Sequence, residues 1–119
     1  PQQEDPGSVG QLPTKLIEGL AVGRAVISTE MSDIPLWLRD CGVVVPPGDR
    51  AALAGALSRL LADAPERERL GRAARRRFES TASPAAVQPR LISLFEAVIG
   101  GKPLPSPCSP REVLEALPV

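Results

Sequence analysis

The chain has 119 residues, room for one small domain but not for two ordinary ones. Lys plus Arg and Asp plus Glu both number 14, so the net charge is zero and a dedicated nucleic-acid binder, with its basic excess, is disfavoured. Hydrophobic residues make up 43% and His is absent, so a packed core is affordable while His triads, His metal sites and a His general base are excluded within these residues.

No apolar run reaches the roughly 18 residues that a membrane span needs. The two cysteines, Cys41 and Cys108, form no CxxC pair and no disulfide framework. The first residue is Pro1, and no signal-peptide pattern precedes the first apolar stretch. The expectation is therefore of a start that was lost or removed. Pro clusters at Pro1 to Pro13, at Pro46-Pro47 and at Pro103 to Pro110, which read as loops and ends.

Residues 1–11 are polar, rich in Pro and Gly, and read as a loop. A short helix is predicted from Pro13 to Val22. Pro13 suits its first turn and Gly23 the position just past its end. Leu16 and Leu20 share one stripe, with Ile17 and Ala21 beside them. Ala25-Val26-Ile27 is a short continuous apolar run, which suggests a strand covered on both faces. Ile34 to Leu38 reads as one helical turn with Trp37 packed inward. Val43-Val44-Val45 is a second buried strand, closed by Pro46-Pro47-Gly48.

Asp49 is an expected N-cap for a helix from Arg50 to Ala62. Its apolar stripe is Leu53, Ala56, Leu57, Leu60 and Leu61. A further helix opens at Pro65 and runs to Glu79. Glu66 and Glu68 near its start and Arg75, Arg76 and Arg77 near its end complement its dipole. A last helix opens with Ser83 as cap and Pro84 at its first position. Val87, Leu91, Leu94, Phe95 and Val98 line one of its faces, and Gly100-Gly101 stops it. Gly101 to Pro110 is a Pro/Ser linker, and Arg111 to Leu117 could form another turn or two of helix.

Helices alternating with buried strands point to an α/β layer fold with short parallel strands and a helix-rich C-terminal end. Two strands do not make a self-sufficient doubly wound sheet. The expectation is a C-terminal piece of a larger α/β domain: a loop at 1–11, the ordered portion at 12–99 and a tail at 100–119.

The segment from Gly10 to Ser28 carries the most chemical information. A Gly-containing turn runs into a helix N-terminus, which presents free backbone N–H groups to an anion. Thr14 and Glu18 are one turn apart and share a face, away from Leu16 and Leu20. A carboxylate there accepts hydrogen bonds from the adjacent hydroxyls of a ribose. Spacing alone leaves two readings open: half of a nucleotide site, or a solvated Glu18 beside an ordinary turn.

These residues resemble the C-terminal domain of the group 1 glycosyltransferases, family four of the retaining GT-B enzymes. The matching pieces are Leu12 through Gly23, Ala25-Val26-Ile27-Ser28, Asp33-Ile34-Pro35, Asp40 through Asp49, and Arg69 through Arg75. The resemblance covers roughly Gly10 to Val98. It implies a Rossmann-like domain and a nucleotide-diphosphate sugar as donor substrate. A carboxylate matching Glu18 holds the ribose hydroxyls. Backbone amides matching Gln11, Leu12 and Thr14 lie near the diphosphate, while Pro13 has no N–H to offer. The implied donor-binding set is Gly10, Gln11, Leu12, Thr14, Lys15 and Glu18, with no metal and no cofactor.

Many members carry a second Glu eight positions before the ribose carboxylate. This chain has Gly10 there, and Glu4 and Asp5 stand at a different spacing. The family's basic donor pair and its N-terminal acceptor domain have no counterpart in these residues, so the chain alone is expected to be inactive. The implied parent is a hexosyltransferase that acts on a glycan, lipid or small-molecule acceptor. It is expected in the cytoplasm, with peripheral contact at the inner membrane face permitted. Two rival readings remain: a non-catalytic binding remnant of the same fold, and a GT-B nucleotide-sugar epimerase.

Other features read more plainly. The Arg72 to Arg77 cluster is expected to be a solvated helix face. Cys41 is expected to be a small buried side chain, Cys108 a free thiol in the tail, and Trp37 a core residue.

Overall fold

The structure is a computed structural model that describes residues 12–103. The linker beyond residue 103, the expected turn at 111–117, the loop at 1–11 and Cys108 lie outside the described residues. Seven elements follow in order: α1 (Thr14–Ala21), β1 (Val26–Thr29), α2 (Ile34–Leu38), β2 (Gly42–Val45), α3 (Arg50–Ala62), α4 (Ala64–Thr81) and α5 (Pro84–Ile99).

The strands form a two-stranded parallel sheet with Val26 opposite Gly42 and Thr29 opposite Val45. Both are less covered than continuous apolarity implied. Only Thr29 and Val45 are fully buried, and the three preceding residues of each strand are half-buried. A two-stranded sheet has no central strand, so each of its strands keeps one edge unpaired within the sheet.

α1 buries Leu16 and Leu20, as the stripe required. It ends in a Schellman motif: Gly23 N–H donates to Leu20 O at 3.0 Å and Arg24 N–H to Gly19 O at 3.1 Å. Gly23 has φ +65°, a conformation that costs other residues a steric penalty. Short α2 lays Ile34 and Leu38 into the core, with half-buried Trp37 against it. The core cluster joins Leu16, Leu20, Met31, Ile34, Leu38, Cys41 and Ala74.

Asp49 caps α3 by accepting from Ala52 N–H at 2.8 Å. Asp63 does the same for α4 through Glu66 N–H at 2.9 Å, and Ser83 for α5 through Ala86 N–H at 3.2 Å. α4 starts at Ala64 and runs on to Thr81, so Arg75, Arg76 and Arg77 precede its last turn rather than form it. The α3 stripe is narrower than expected. Ala56 and Leu60 are buried, whereas Leu57 and Leu61 face solvent. The expected apolar face of α5 is present but covers nothing: the helix buries no residue, and Val87, Leu91, Leu94, Phe95 and Val98 are all exposed. Among the described residues α5 meets the fold chiefly through α4, and one neighbour cannot cover a whole helical stripe.

α4 lies close against α1 and the turn that ends it. A Cβ placed on Gly71 would collide with Gly23 O. Gly71→Ala is therefore expected to destabilise the protein by about 1–3 kcal/mol, because backbone on both sides leaves nothing flexible to move. Gly55 sits inside α3 with nothing within 4 Å of a Cβ. Gly55→Ala should stabilise by about 0.5–1 kcal/mol through helix propensity alone. Urea titration of the two variants checks the opposite signs.

Candidate nucleotide-sugar site

Connection lengths set the orientation of α1. Only residues 22–25 separate α1 from β1, so the helix must run back along the strand. Eight helical residues span about 12 Å, and four strand residues about 13 Å. The start of α1 therefore stands beside the carboxyl end of β1. α3 begins just after the carboxyl end of β2. Two helix N-termini thus gather at the carboxyl edge of the sheet, where open α/β sheets bind ligands.

Residue by residue, the candidate set is divided. Thr14, Lys15 and Glu18 are exposed on α1, on the face opposite buried Leu16 and Leu20. Leu12 differs: its side chain packs against the core, so only its backbone is available to a ligand. Gly10 and Gln11 lie outside the described residues. Pro13 is the N-cap and supplies no side-chain hydrogen bond. Leu16 N–H is turned back to Pro13 O at 2.9 Å. The amides of Thr14 and Lys15 have no intrahelical partner, as for the first residues of any helix. The N-terminus of α1 therefore combines N–H donors, a hydroxyl, an ammonium and, one turn on, a carboxylate.

An open depression lies elsewhere, lined by Gly23, Glu68, Gly71, Arg72 and Arg75. It sits at the C-terminal end of α1, on the opposite side from Thr14, and holds none of the expected site residues. Among the described residues, no three Cys, Asp or Glu side chains come together in a way that could hold a metal ion. No helix among them is long and apolar enough to cross a membrane.

The arginines of α4 are not merely a solvated face. Arg75 Nη1 donates to Ala21 O at the end of α1. Arg77 Nη2 donates to Arg39 O, just after α2, at 3.2 Å. Arg67 Nη1 donates to Leu60 O and Leu61 O of α3 at 2.5 and 2.7 Å. Sequence reasoning assigned Arg75 and Arg77 to the dipole of α4 itself and gave Arg67 no role. The partners of Arg75 and Arg77 are distant in sequence, and those of Arg67 lie across a helix boundary, so no periodicity reveals them. Glu66 pairs with Arg69 at 2.6 Å, and Glu68 with Arg72 at 3.4 Å. The hydrogen bond from Arg69 is the main cause that lowers the Glu66 carboxyl below its ordinary range.

Two comparisons bear on this arrangement. Residues 5–63 match the family model described as glycosyl transferases, group 1. Among solved structures the chain is similar to sucrose-phosphate synthase from Thermosynechococcus elongatus, with 27% identity and a TM-score of 0.71. That match covers 76% of this chain and 23% of the other, so the present chain spans about a quarter of its relative's length. No curated protein matches it. Parallel strands, flanking helices and this structural likeness define an α/β segment of the GT-B glycosyltransferase type. Residues 5–63 carry the sequence pattern of the group 1 glycosyltransferases, and the fold around them is that of a GT-B enzyme.

Cys41 is 2% exposed and donates its thiol to Trp37 O at 3.1 Å. Burial pushes its pKa up, against a smaller downward pull from Arg77. In a Cys108→Ser background, a thiol reagent at neutral pH should label no cysteine in the folded chain and one after denaturation. Because the folded thiol has the higher pKa, its contribution to stability is complete below the unfolded pKa. It fades as pH rises through the folded value. A stability profile should therefore decline from about pH 8.5 upward, and less steeply in Cys41→Ala.

Proposed function

We propose that this chain supplies donor-binding residues to a retaining glycosyltransferase, which moves a hexose from an NDP-sugar to a glycan, lipid or small-molecule acceptor. The observation that carries the reading is the exposed Thr14–Glu18 face on an N-terminus of α1 that lacks a side-chain cap, at the carboxyl edge of the sheet. The family-model match over residues 5–63 and the similarity to a sucrose-phosphate synthase support sugar transfer as the chemistry.

In this reading the diphosphate lies at the start of α1. The amides of Leu12, Thr14 and Lys15 face it, and Gly10 and Gln11 complete the proposed donor-binding set. The Thr14 hydroxyl and the Lys15 ammonium add donors. Negative charge grows on the diphosphate as its bond to the sugar breaks, and donors already held by the helix stabilise that charge without reorganising. Glu18 lies about 6 Å further along the axis, a spacing that suits the step from phosphate to ribose. Its carboxylate accepts from the ribose hydroxyls. The NDP-sugar is a substrate, and no separate cofactor or metal enters the proposal.

The remaining donor contacts and the acceptor site are assigned to an N-terminal domain of a longer parent. The uncovered apolar face of α5 is consistent with further protein there. We place the parent in the cytoplasm, with peripheral contact at the inner membrane face. A second reading, a binding remnant without catalysis, draws on Gly10 standing where many members have a carboxylate.

The 119-residue chain by itself should show no turnover with any NDP-sugar. In the full-length parent, Glu18→Ala should lower productive donor use at least about tenfold, from the loss of charge-assisted hydrogen bonds of about 1.5–3 kcal/mol each. Glu18→Gln should fall between, and Glu66→Ala should do little. A 2′-deoxy donor should lose affinity for the wild type and far less for Glu18→Ala. Additivity in that cycle would show that Glu18 does not touch the ribose.

A further inference from the structure

Arg75 lies on α4, far from the proposed donor end of α1, yet it holds the other end of the same helix. Its Nη1 donates to Ala21 O, in the last turn of α1. Its Nε donates to Glu79 Oε1 at 2.7 Å, and its guanidinium carbon lies 5.7 Å from the centre of the Phe78 ring. Phe78 in turn packs against the core. Three separate contacts therefore hold the guanidinium in one place. One turn earlier on α4, Gly71 admits the backbone of Gly23 to a distance no side chain would allow. Gly71 sets how close α1 comes to α4, and Arg75 ties the carbonyl end of α1 to that contact.

A cation at a helix C-terminus satisfies an orphan carbonyl and meets the negative end of the dipole. The mechanical consequence is at the opposite end. Thr14 is seven residues from Ala21, about 10 Å along the axis. A tilt of about 10° at the anchored end would displace the donor end by about 2 Å. A displacement of about 1 Å is enough to cost an enzyme a large factor in rate.

We propose that Arg75 is a positioning residue for the donor site: by clamping the C-terminal end of α1 to α4, it sets the placement of Thr14, Lys15 and Glu18. This rests on the reading of α1 as the donor helix. The clamp itself can be tested without that reading. The side chain is 51% exposed, so Arg75→Gln removes the clamp without opening a cavity in the core.

The test uses the full-length protein with Arg75→Gln, Arg75→Lys and Glu18→Ala. By hydrogen exchange, Arg75→Gln should speed exchange of the α1 amides while leaving those of α3 unchanged. In steady-state assays it should raise donor KM about three- to tenfold and leave acceptor KM unchanged. Arg75→Lys, which keeps a cationic donor but not the guanidinium fork, should restore part of the donor KM. In the Glu18→Ala background, Arg75→Gln should add little further. A merely structural role would lower the amount of folded enzyme without moving donor KM. Unchanged α1 exchange would overturn the clamp. Faster exchange with unchanged donor KM, where Glu18→Ala does raise it, would overturn the positioning role alone. Faster exchange with donor KM indifferent to both residues would overturn the positioning role together with the donor-site reading.

Discussion

The fold depends on one helix, α4, which closes the C-terminal ends of three others. Arg67 reaches the last carbonyls of α3, Arg75 the end of α1, and Arg77 the residue that follows α2. A helix end leaves carbonyls that its own amides cannot satisfy. In a small domain with two short strands, few other elements are available to supply donors. α4 combines those donors with an apolar side, where Leu70, Gly71 and Ala74 are buried. One element therefore packs the core and gathers the negative helix ends. Surface arginines contribute little as isolated ion pairs. These act instead as donors to backbone carbonyls of other elements, Arg75 and Arg77 across long sequence separations and Arg67 across the turn between α3 and α4.

That arrangement has a direction. With the C-terminal end of α1 tied to α4, its N-terminus is left at the carboxyl edge of the sheet. α3 likewise begins there, with Asp49 as its side-chain cap. α1 has no such cap, because Pro13 occupies the N-cap position. A carboxylate or hydroxyl at that position would compete with any incoming anion for the first amides. Pro13 leaves them available and fixes the local backbone at the same time. The departure from the usual Ser, Thr, Asp or Asn cap is a local irregularity of the kind expected where a ligand takes over the capping role.

Legibility varied with the range of the interaction. Helix boundaries with a local signal were readable to within a residue or two: the starts at Asp49 before α3 and Ser83 before α5, and the end at Gly23 after α1. Each depends on a bond within a few residues, so sequence spacing carries the information. Burial was less legible. Leu57 and Leu61 follow the period of a buried stripe and still face water, because among the described residues α3 meets chiefly α4 and the sheet, which cover a narrower face than the stripe. The candidate site was partly legible. Thr14 and Glu18 share a face by helical geometry, and the structure exposes both. Leu12 entered the set only through its backbone amide; that its side chain packs against the core was visible only in the structure.

The amino-acid sequence by itself determined the order and type of the elements, the parallel α/β class, the exposed polar face of α1 and the resemblance to a glycosyltransferase family. All of these follow from periodicity, capping and spacing within short windows, or from motifs read in order. Only the tertiary structure decided which helix ends α4 holds, that Gly71 and Gly23 meet backbone to backbone, and that the α5 stripe stays uncovered among the described residues. Arg75 and Ala21 are 54 positions apart, and no local pattern encodes such a pair. Their contact exists because the core brings α1 and α4 side by side, and a guanidinium long enough to reach the helix end then finds a carbonyl in need of a donor.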